Sequence, residues 1–280
     1  MNNITTFSML GDHGEFGNQL FQIAATIGTA HKLGTDYDFP VWRCRKSNVE
    51  YSKFFKNKIP ETLRARLSEP FYIYNEPSFK FKEITDIPKN TNIDLIGYFQ
   101  SDLYFADFRE EILSKFEPSD SVLNKIKNSS IDYNNSVALQ LRFYDSVRAH
   151  NMQLSHADPT NGDNFYFTVE ENLDYLNKAV EFFGRNKIYY VSSNNYNKAK
   201  NLNLNIPNLI FLEDFDHVER FFIHSLCENN IITNSTFGWW SAWLNKNPDK
   251  IVFAPKKWFR SSYIKEEDAA TIYPRSWKIL

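Results

Sequence analysis

Cysteine is nearly absent from this chain. Cys44 and Cys227 are the two in 280 residues, and Cys227 falls among Phe222, Ile223 and Leu226, where a buried thiol is the ordinary reading, so no disulfide or cysteine chemistry is assigned. No apolar run reaches about 18 residues, and the opening MNNITTFSML lacks the basic region, apolar stretch and small-residue cleavage site of a secretory signal. A soluble, cytoplasmic protein is expected. A formal net charge of −2 leaves no basic stripe for nucleic acid and no solvating charged tail. Internal repeats and low-complexity segments are also missing.

What is abundant is aromatic. Phe, Trp and Tyr make up 16% of the chain, which suits a packed core and equally a carbohydrate site, where flat rings stack on sugar faces. The length suits one large or two modest domains. From Val137 onward, short apolar strands alternate with helical patterns: Val137 to Leu141, then a helix with Leu173, Leu176, Val180 and Phe183 on one face, then Ile188 to Val191. Leu209 to Leu212, a helix from His217 to Cys227, Ile231 to Thr233, a tryptophan-rich helix and Ile251 to Ala254 follow. Such alternation predicts an α/β fold with a parallel sheet covered on both faces, and ligands beyond the carboxyl ends of its strands. The first half is less regular, with residues 43–90 charged and broken by prolines. The polar stretch Asn128 to Asn135 places a domain boundary there, giving domains 1–130 and 131–280.

Two strand-to-helix turns stand out. Near the C-terminus a strand runs through Asn234, Ser235 and Thr236 into a helix carrying Phe237, Trp240, Ala242, Trp243 and Leu244. Helix-start N–H groups without internal partners favour a diphosphate; the plainer reading is that Ser235 or Thr236 caps the helix and the tryptophans fill a core. Near the N-terminus, Gly11, Asp12, His13, Gly14, Glu15, Phe16, Gly17 and Asn18 lead into a helix whose face is Leu20, Ile23, Ala24, Ile27, Ala30 and Leu33. The three glycines allow positive φ, and Asn18 is expected to open the helix. The turn lacks GxGxxG spacing and a Walker lysine, so it supports neither a dinucleotide site nor a P-loop.

Arg142 ends the strand from Val137, where a guanidinium at the sheet's carboxyl edge matches phosphate geometry; pairing with Asp145 on the surface is the other reading. The triplets Asp36-Tyr37-Asp38 and Asp214-Phe215-Asp216 match a metal-binding pattern common by chance, and no metal is expected. Lys256-Lys257-Trp258-Phe259-Arg260 mixes basic and aromatic groups, which leaves peripheral membrane contact open beside an ordinary loop exit.

GEFGNQLFQIA at Gly14 to Ala24, GYFQSDLYF at Gly97 to Phe105, the block from Asn229 to Phe259 and the ending IYPRSWKIL resemble the α-1,2-fucosyltransferases across nearly the whole chain. The resemblance implies a GT-B-like fold of two Rossmann-like domains facing a cleft, the first an irregular acceptor-side domain and the second binding the nucleotide sugar. It implies inverting, metal-independent transfer of fucose from GDP-fucose to a galactose-containing glycan in α-1,2 linkage, with no cofactor beyond that donor. Gly14, Gly17, Asn18, Gln140, Arg142, Ser193, Asn194, Ser235 and Thr236 are the expected donor contacts.

The chain departs from the family in its HxRRxD-like motif, which here reads Gln140-Leu141-Arg142-Phe143-Tyr144-Asp145. Gln140 replaces the histidine and Phe143 the second arginine, and Asn194 and Asn195 stand where related enzymes carry acidic residues. Gln140, Ser193 and Asn194 are left to hydrogen-bond a base, with Arg148 or Lys256 as candidates to restore positive charge. Asp12, Glu15 and Asp145 are the candidate bases, with His13 behind them. Two alternatives remain: the same fold with another nucleotide deoxysugar donor, or a non-catalytic carbohydrate-binding relative.

Overall fold

The computed structural model describes residues 3–62, 71–144, 166–202, 204–259 and 269–280. They form two compact units, Met1–Leu123 with Ala270–Pro274, and Asn124–Ala269 with Arg275–Leu280. The division falls just before the polar stretch Asn128 to Asn135, and a short C-terminal segment returns to the first unit.

The first unit carries strands β1 (Ile4–Thr6), β2 (Asp36–Pro40), β5 (Glu61–Thr62), β6 (Phe71–Asn75) and β7 (Asn92–Ile96), parallel and ordered β5-β2-β1-β7-β6, beside a hairpin of β3 (Arg43–Cys44) and β4 (Val49–Glu50). Its long helix, Phe16–Leu33, buries Leu20, Ile23, Ala24, Ile27 and Ala30 completely and ends at Gly34 in the left-handed conformation. Leu33, expected on that buried face, is exposed at 36% because the helix has reached its last turn. Among the described residues of 43–90, Arg43–Cys44, Val49–Glu50 and Glu61–Thr62 are strand pieces too short for periodicity to reveal.

In the second unit, β8 (Ser136–Leu141), β9 (Ile188–Ser193), β10 (Leu209–Phe211), β11 (Asn229–Ile231), β12 (Val252–Ala254) and β13 (Lys278–Ile279) form an all-parallel sheet ordered β10-β9-β8-β11-β12-β13. Every residue of β8 is buried, as a central parallel strand covered on both faces must be. The helix Leu173–Phe183 packs Leu176, Ala179 and Val180 against Val137, Leu139 and Val191. The helix His217–Leu226 begins with a reciprocal capping box, in which Asp216 accepts from the Val218 and Glu219 N–H groups while Glu219 accepts from Asp216 N–H. The fold class is α/β with parallel sheets.

Candidate functional site

In the second unit the chain enters the sheet at β8, moves to β9 and β10 on one side, then crosses to β11 and β12 on the other. The carboxyl ends of β8 and β11 therefore border the topological switch point, where open α/β sheets take ligands. Arg142 leaves β8 there, and its N–H donates to Thr233 Oγ1 at 3.0 Å. The same hydroxyl donates to Gln140 Oε1 at 2.9 Å, so one threonine ties the two strand ends together. Beyond Thr233, Asn234 is buried: its Nδ2 donates to the Lys257 and Trp258 carbonyls at 2.6 Å each, and its Oδ1 accepts from Asn172 at 3.0 Å. These bonds fix the turn that starts the helix Thr236–Leu244.

Ser235 takes the N-cap position of that helix but its side chain caps no N–H group. The first helical N–H groups have no intrahelical partner, so the helix presents its positive end at the switch point. Trp239, Trp240 and Trp243 are buried and pack on one another, which makes the helix body core, as the plainer sequence reading had it. Gly238 lies close to β8: a Cβ there would lie 2.9 Å from Gln140 Oε1, so the glutamine side chain would have to shift.

Arg142 itself is half-buried, its guanidinium 5.4 Å from the Tyr144 ring centre, and the Tyr144 hydroxyl donates to the Asn234 carbonyl at 2.5 Å. Asn194 pairs both ways with the Phe143 backbone, accepting at 2.8 Å and donating at 2.9 Å. Ser193 bonds the backbone of Asn195. Gln140, Ser193 and Asn194, expected to reach a base, thus lie at the right edge with side chains engaged in the scaffold. Thr236 is the first residue of the helix. Asp145, Arg148 and Arg260 lie outside the described residues. Lys256 is exposed and its N–H donates to the Leu280 carbonyl at 2.7 Å.

The first unit has its own edge, where β1 and β7 flank a second switch point. Asp94 of β7 accepts from Ser8 N–H at 2.9 Å and from its hydroxyl at 2.6 Å, anchoring the turn after β1. Gly11 and Gly14 have φ of 89° and 79° as expected, but Gly17 does not: it lies inside the helix, which begins at Phe16 rather than at Asn18. Glu15 is the N-cap residue, so Gly17 and Asn18 already hold helical backbone. Asn18 Oδ1 accepts from Gln100 at 3.0 Å, and Glu15 pairs with Lys46 at 2.9 Å. Asp12 is partly buried in the turn, its N–H bonded to the Met9 carbonyl at 3.0 Å. His13 packs on Tyr98, ring centres 4.6 Å apart, and burial lowers its pKa below 6.5.

A group that sequence reasoning missed lies on the same edge. Glu76, one residue past β6, accepts from the Tyr98 and Phe99 N–H groups through Oε2 at 2.7 and 3.0 Å. Burial raises its pKa to about 7, with the two N–H donors pulling the other way. Its only sequence signal was a lone acidic residue between a strand and Pro77.

Residues 5–279 match the model of glycosyl transferase family 11. The chain belongs to that family. Curated relatives of this family 11 chain include the O-antigen biosynthesis glycosyltransferase WbnK of Escherichia coli, 30% identical over 178 residues, covering 59% of this chain and 55% of the relative. An alpha-1,2-colitosyltransferase of Escherichia coli is 25% identical over 191 residues, covering 66% of this chain and 62% of the relative. The chain thus spans little more than half the length of the curated relatives it matches. Among solved structures, the NodZ alpha-1,6-fucosyltransferase of Bradyrhizobium soaked with GDP-fucose superposes with a TM-score of 0.51 at 14% identity, covering 89% of this chain and 94% of that one. At that identity the likeness shows the fold.

Both acidic triplets of this family 11 chain have local structural work. Asp216 is half of the capping box, and Asp36 to Asp38 open β2 at its amino end, with Asp38 bonded to the Phe39 N–H. Among the described residues no group of three or more His, Cys, Asp or Glu side chains is placed to hold a metal ion, and no helix is long and apolar enough to cross a membrane.

Proposed function

We propose that this glycosyltransferase moves fucose from GDP-fucose, with inversion and without a metal, to a galactose-containing glycan in α-1,2 linkage. The carrying observation is the bond from Arg142 N–H to Thr233 Oγ1 at 3.0 Å, which ties the strand end that carries this guanidinium to the turn opening the helix Thr236–Leu244, whose N-cap serine side chain caps no N–H group. A departing diphosphate needs positive charge and N–H donors fixed in advance, and this edge offers both. The second unit then takes the nucleotide sugar and the first the acceptor. The relatives act in the same chemical direction: one is a glycosyltransferase of O-antigen biosynthesis, another an alpha-1,2-transferase, and the structural neighbour was soaked with GDP-fucose.

One observation favours a second reading. The colitosyltransferase relative transfers a different deoxysugar, so this chain's donor could be such a sugar on the same nucleotide, held by the same edge.

A donor panel decides between them: GDP-fucose, GDP-colitose and UDP- and TDP-sugars, each with lactose and related galactosides, products identified by mass spectrometry. Transfer from GDP-fucose to O2 of galactose that persists in EDTA is the expected result. Transfer from GDP-colitose alone would replace the donor, and loss in EDTA restored by manganese would overturn the metal-free mechanism.

A further inference from the structure

In the donor site read above, Arg142 supplies the charge, and a long side chain at a sheet edge needs something to hold it. Its backbone is fixed by Thr233, but the guanidinium lies several rotatable bonds farther out. A support stands two residues on. The guanidinium carbon of Arg142 lies over the Tyr144 ring, 5.4 Å from its centre, within reach of a cation–π contact. Phe143 between them is buried in the core, whereas Arg142 and Tyr144 both keep part of their surface exposed.

Tyr144 is itself held at several points. Its hydroxyl donates to the Asn234 carbonyl at 2.5 Å, and Asn234 immediately precedes Ser235, the N-cap residue of the helix Thr236–Leu244. One side chain thus meets the guanidinium with its ring and the turn before the helix with its hydroxyl. The ring also stacks on Tyr166, with centres 4.5 Å apart and planes 17° apart. Tyr166 packs in turn on Phe259 at 5.5 Å, and the two backbones pair in an antiparallel bridge. Asn234 bonds the carbonyls of Lys257 and Trp258, next to Phe259 in the chain, so the turn and the column of rings share an anchor. Every one of these residues belongs to the second unit.

We propose that Tyr144 is a positioning residue of the donor site, its ring holding the Arg142 guanidinium ready for the diphosphate of the nucleotide sugar. This rests on the transferase reading above. A ring attracts a cation through its face without cancelling the charge and without offering acceptor oxygens, so it uses none of the guanidinium N–H donors that a diphosphate would need. A charge held in place beforehand need not be ordered when the leaving group departs. The site thereby gains a fixed cation from an uncharged neighbour.

Tyr144→Leu removes the ring, and Tyr144→Phe keeps it while deleting the bond to Asn234. Titration calorimetry with GDP on the full chain, on each variant, on Arg142→Ala and on the double variant carrying Arg142→Ala and Tyr144→Leu reads the role, with melting temperature alongside. Tyr144→Leu should lower GDP affinity by about 3 to 30-fold, yet lower it no further once Arg142 is alanine. Tyr144→Phe should melt lower but keep GDP affinity within about threefold of the parent, because the ring remains. Tyr144→Met retains more of the volume without the ring, and it carries the same test if Tyr144→Leu does not fold. Parental affinity in the ringless variants sinks the proposal. So does an equal fold loss in both backgrounds, which would mean that Tyr144 acts on the turn and not through Arg142. Parental affinity in Arg142→Ala overturns the diphosphate role of Arg142 and this inference with it. A parent that binds UDP or TDP in place of GDP corrects the nucleotide, and the same variants then decide with that nucleotide; a parent that binds none overturns both.

Discussion

The N–H of Arg142 and the hydroxyl of Thr233 meet at 3.0 Å, joining residues 91 apart in sequence across the point where the second sheet changes direction. The arginine is thereby positioned through its backbone, and its guanidinium lies 5.4 Å from the Tyr144 ring centre. Catalysis that stabilises a leaving group gains from such fixing, since the charge is in place before it is needed.

Thr233→Val should therefore cost both stability and donor affinity. It leaves the Arg142 N–H and Gln140 Oε1 without the shared hydroxyl, a penalty of about 1–3 kcal/mol. Thermal melts with and without GDP check this: a lower melting temperature and a smaller shift on adding GDP are expected, and an unchanged GDP shift would mean that Arg142 does not depend on Thr233.

Arg142→Ala removes the charge without disturbing that backbone bond. Loss of charge-assisted bonds worth about 1.5–3 kcal/mol predicts a fall of roughly 10 to 150-fold in GDP affinity, with little change in melting temperature. Arg142→Lys should recover only part of it, because an ammonium cannot bind phosphate in two-pronged fashion. Titration calorimetry with GDP reads both; equal affinity in all three proteins would remove Arg142 from the donor site.

Ser235→Asp separates the two readings of the helix start. A carboxylate at an N-cap whose native serine caps nothing should hold or raise the melting temperature, while competing with a diphosphate for the same N–H groups. GDP affinity is expected to drop at least about tenfold, the effect of roughly 1.4 kcal/mol. Unchanged affinity would show that the helix only needed a cap.

His224 gives the second unit an acid sensitivity. It is fully buried, and burial holds its pKa down at about 3, with Arg220 adding to the effect and the Tyr190 backbone opposing it. Its folded value lies below the unfolded 6.5, so between these pH values the unfolded chain binds a proton that the native state refuses. Stability should fall as pH drops below about 6.5, by at most about 1.4 kcal/mol per unit from this group. His224→Phe should flatten that part of the melting-temperature profile between pH 7 and 4; parallel profiles would exclude the histidine as the cause.

Most of the second unit's parallel sheet was legible because Ser136–Leu141 and Ile188–Ser193 are long enough to show as strands and the shorter apolar runs alternate with helices that show their period. Leu176 and Val180 fall on one buried face as their spacing predicts. Strands such as Glu61–Thr62 and Lys278–Ile279 were not legible, since two residues carry no period and their pairing is set by distant neighbours. The helix start at Ser235 was read correctly, whereas that at Asn18 was misplaced by two residues because Glu15 supplies the N-cap position without the usual side-chain bond. Glycine spacing suggested positive φ at Gly17, but the helix had already begun there.

Sequence alone determined where the two strand-to-helix turns fall and that an arginine ends the strand from Val137, because helix starts, buried strands and their flanking polar residues are written in local order. Only the tertiary structure decided that Gln140 and Asn194 turn their side chains onto Thr233 and Phe143, 93 and 51 residues away, and that the partly exposed Glu76 has one carboxylate oxygen bonded and the other buried with no partner among the described residues. Hydrogen-bond partners and desolvation depend on atoms brought from far along the chain, so no reading of neighbours in sequence could supply them.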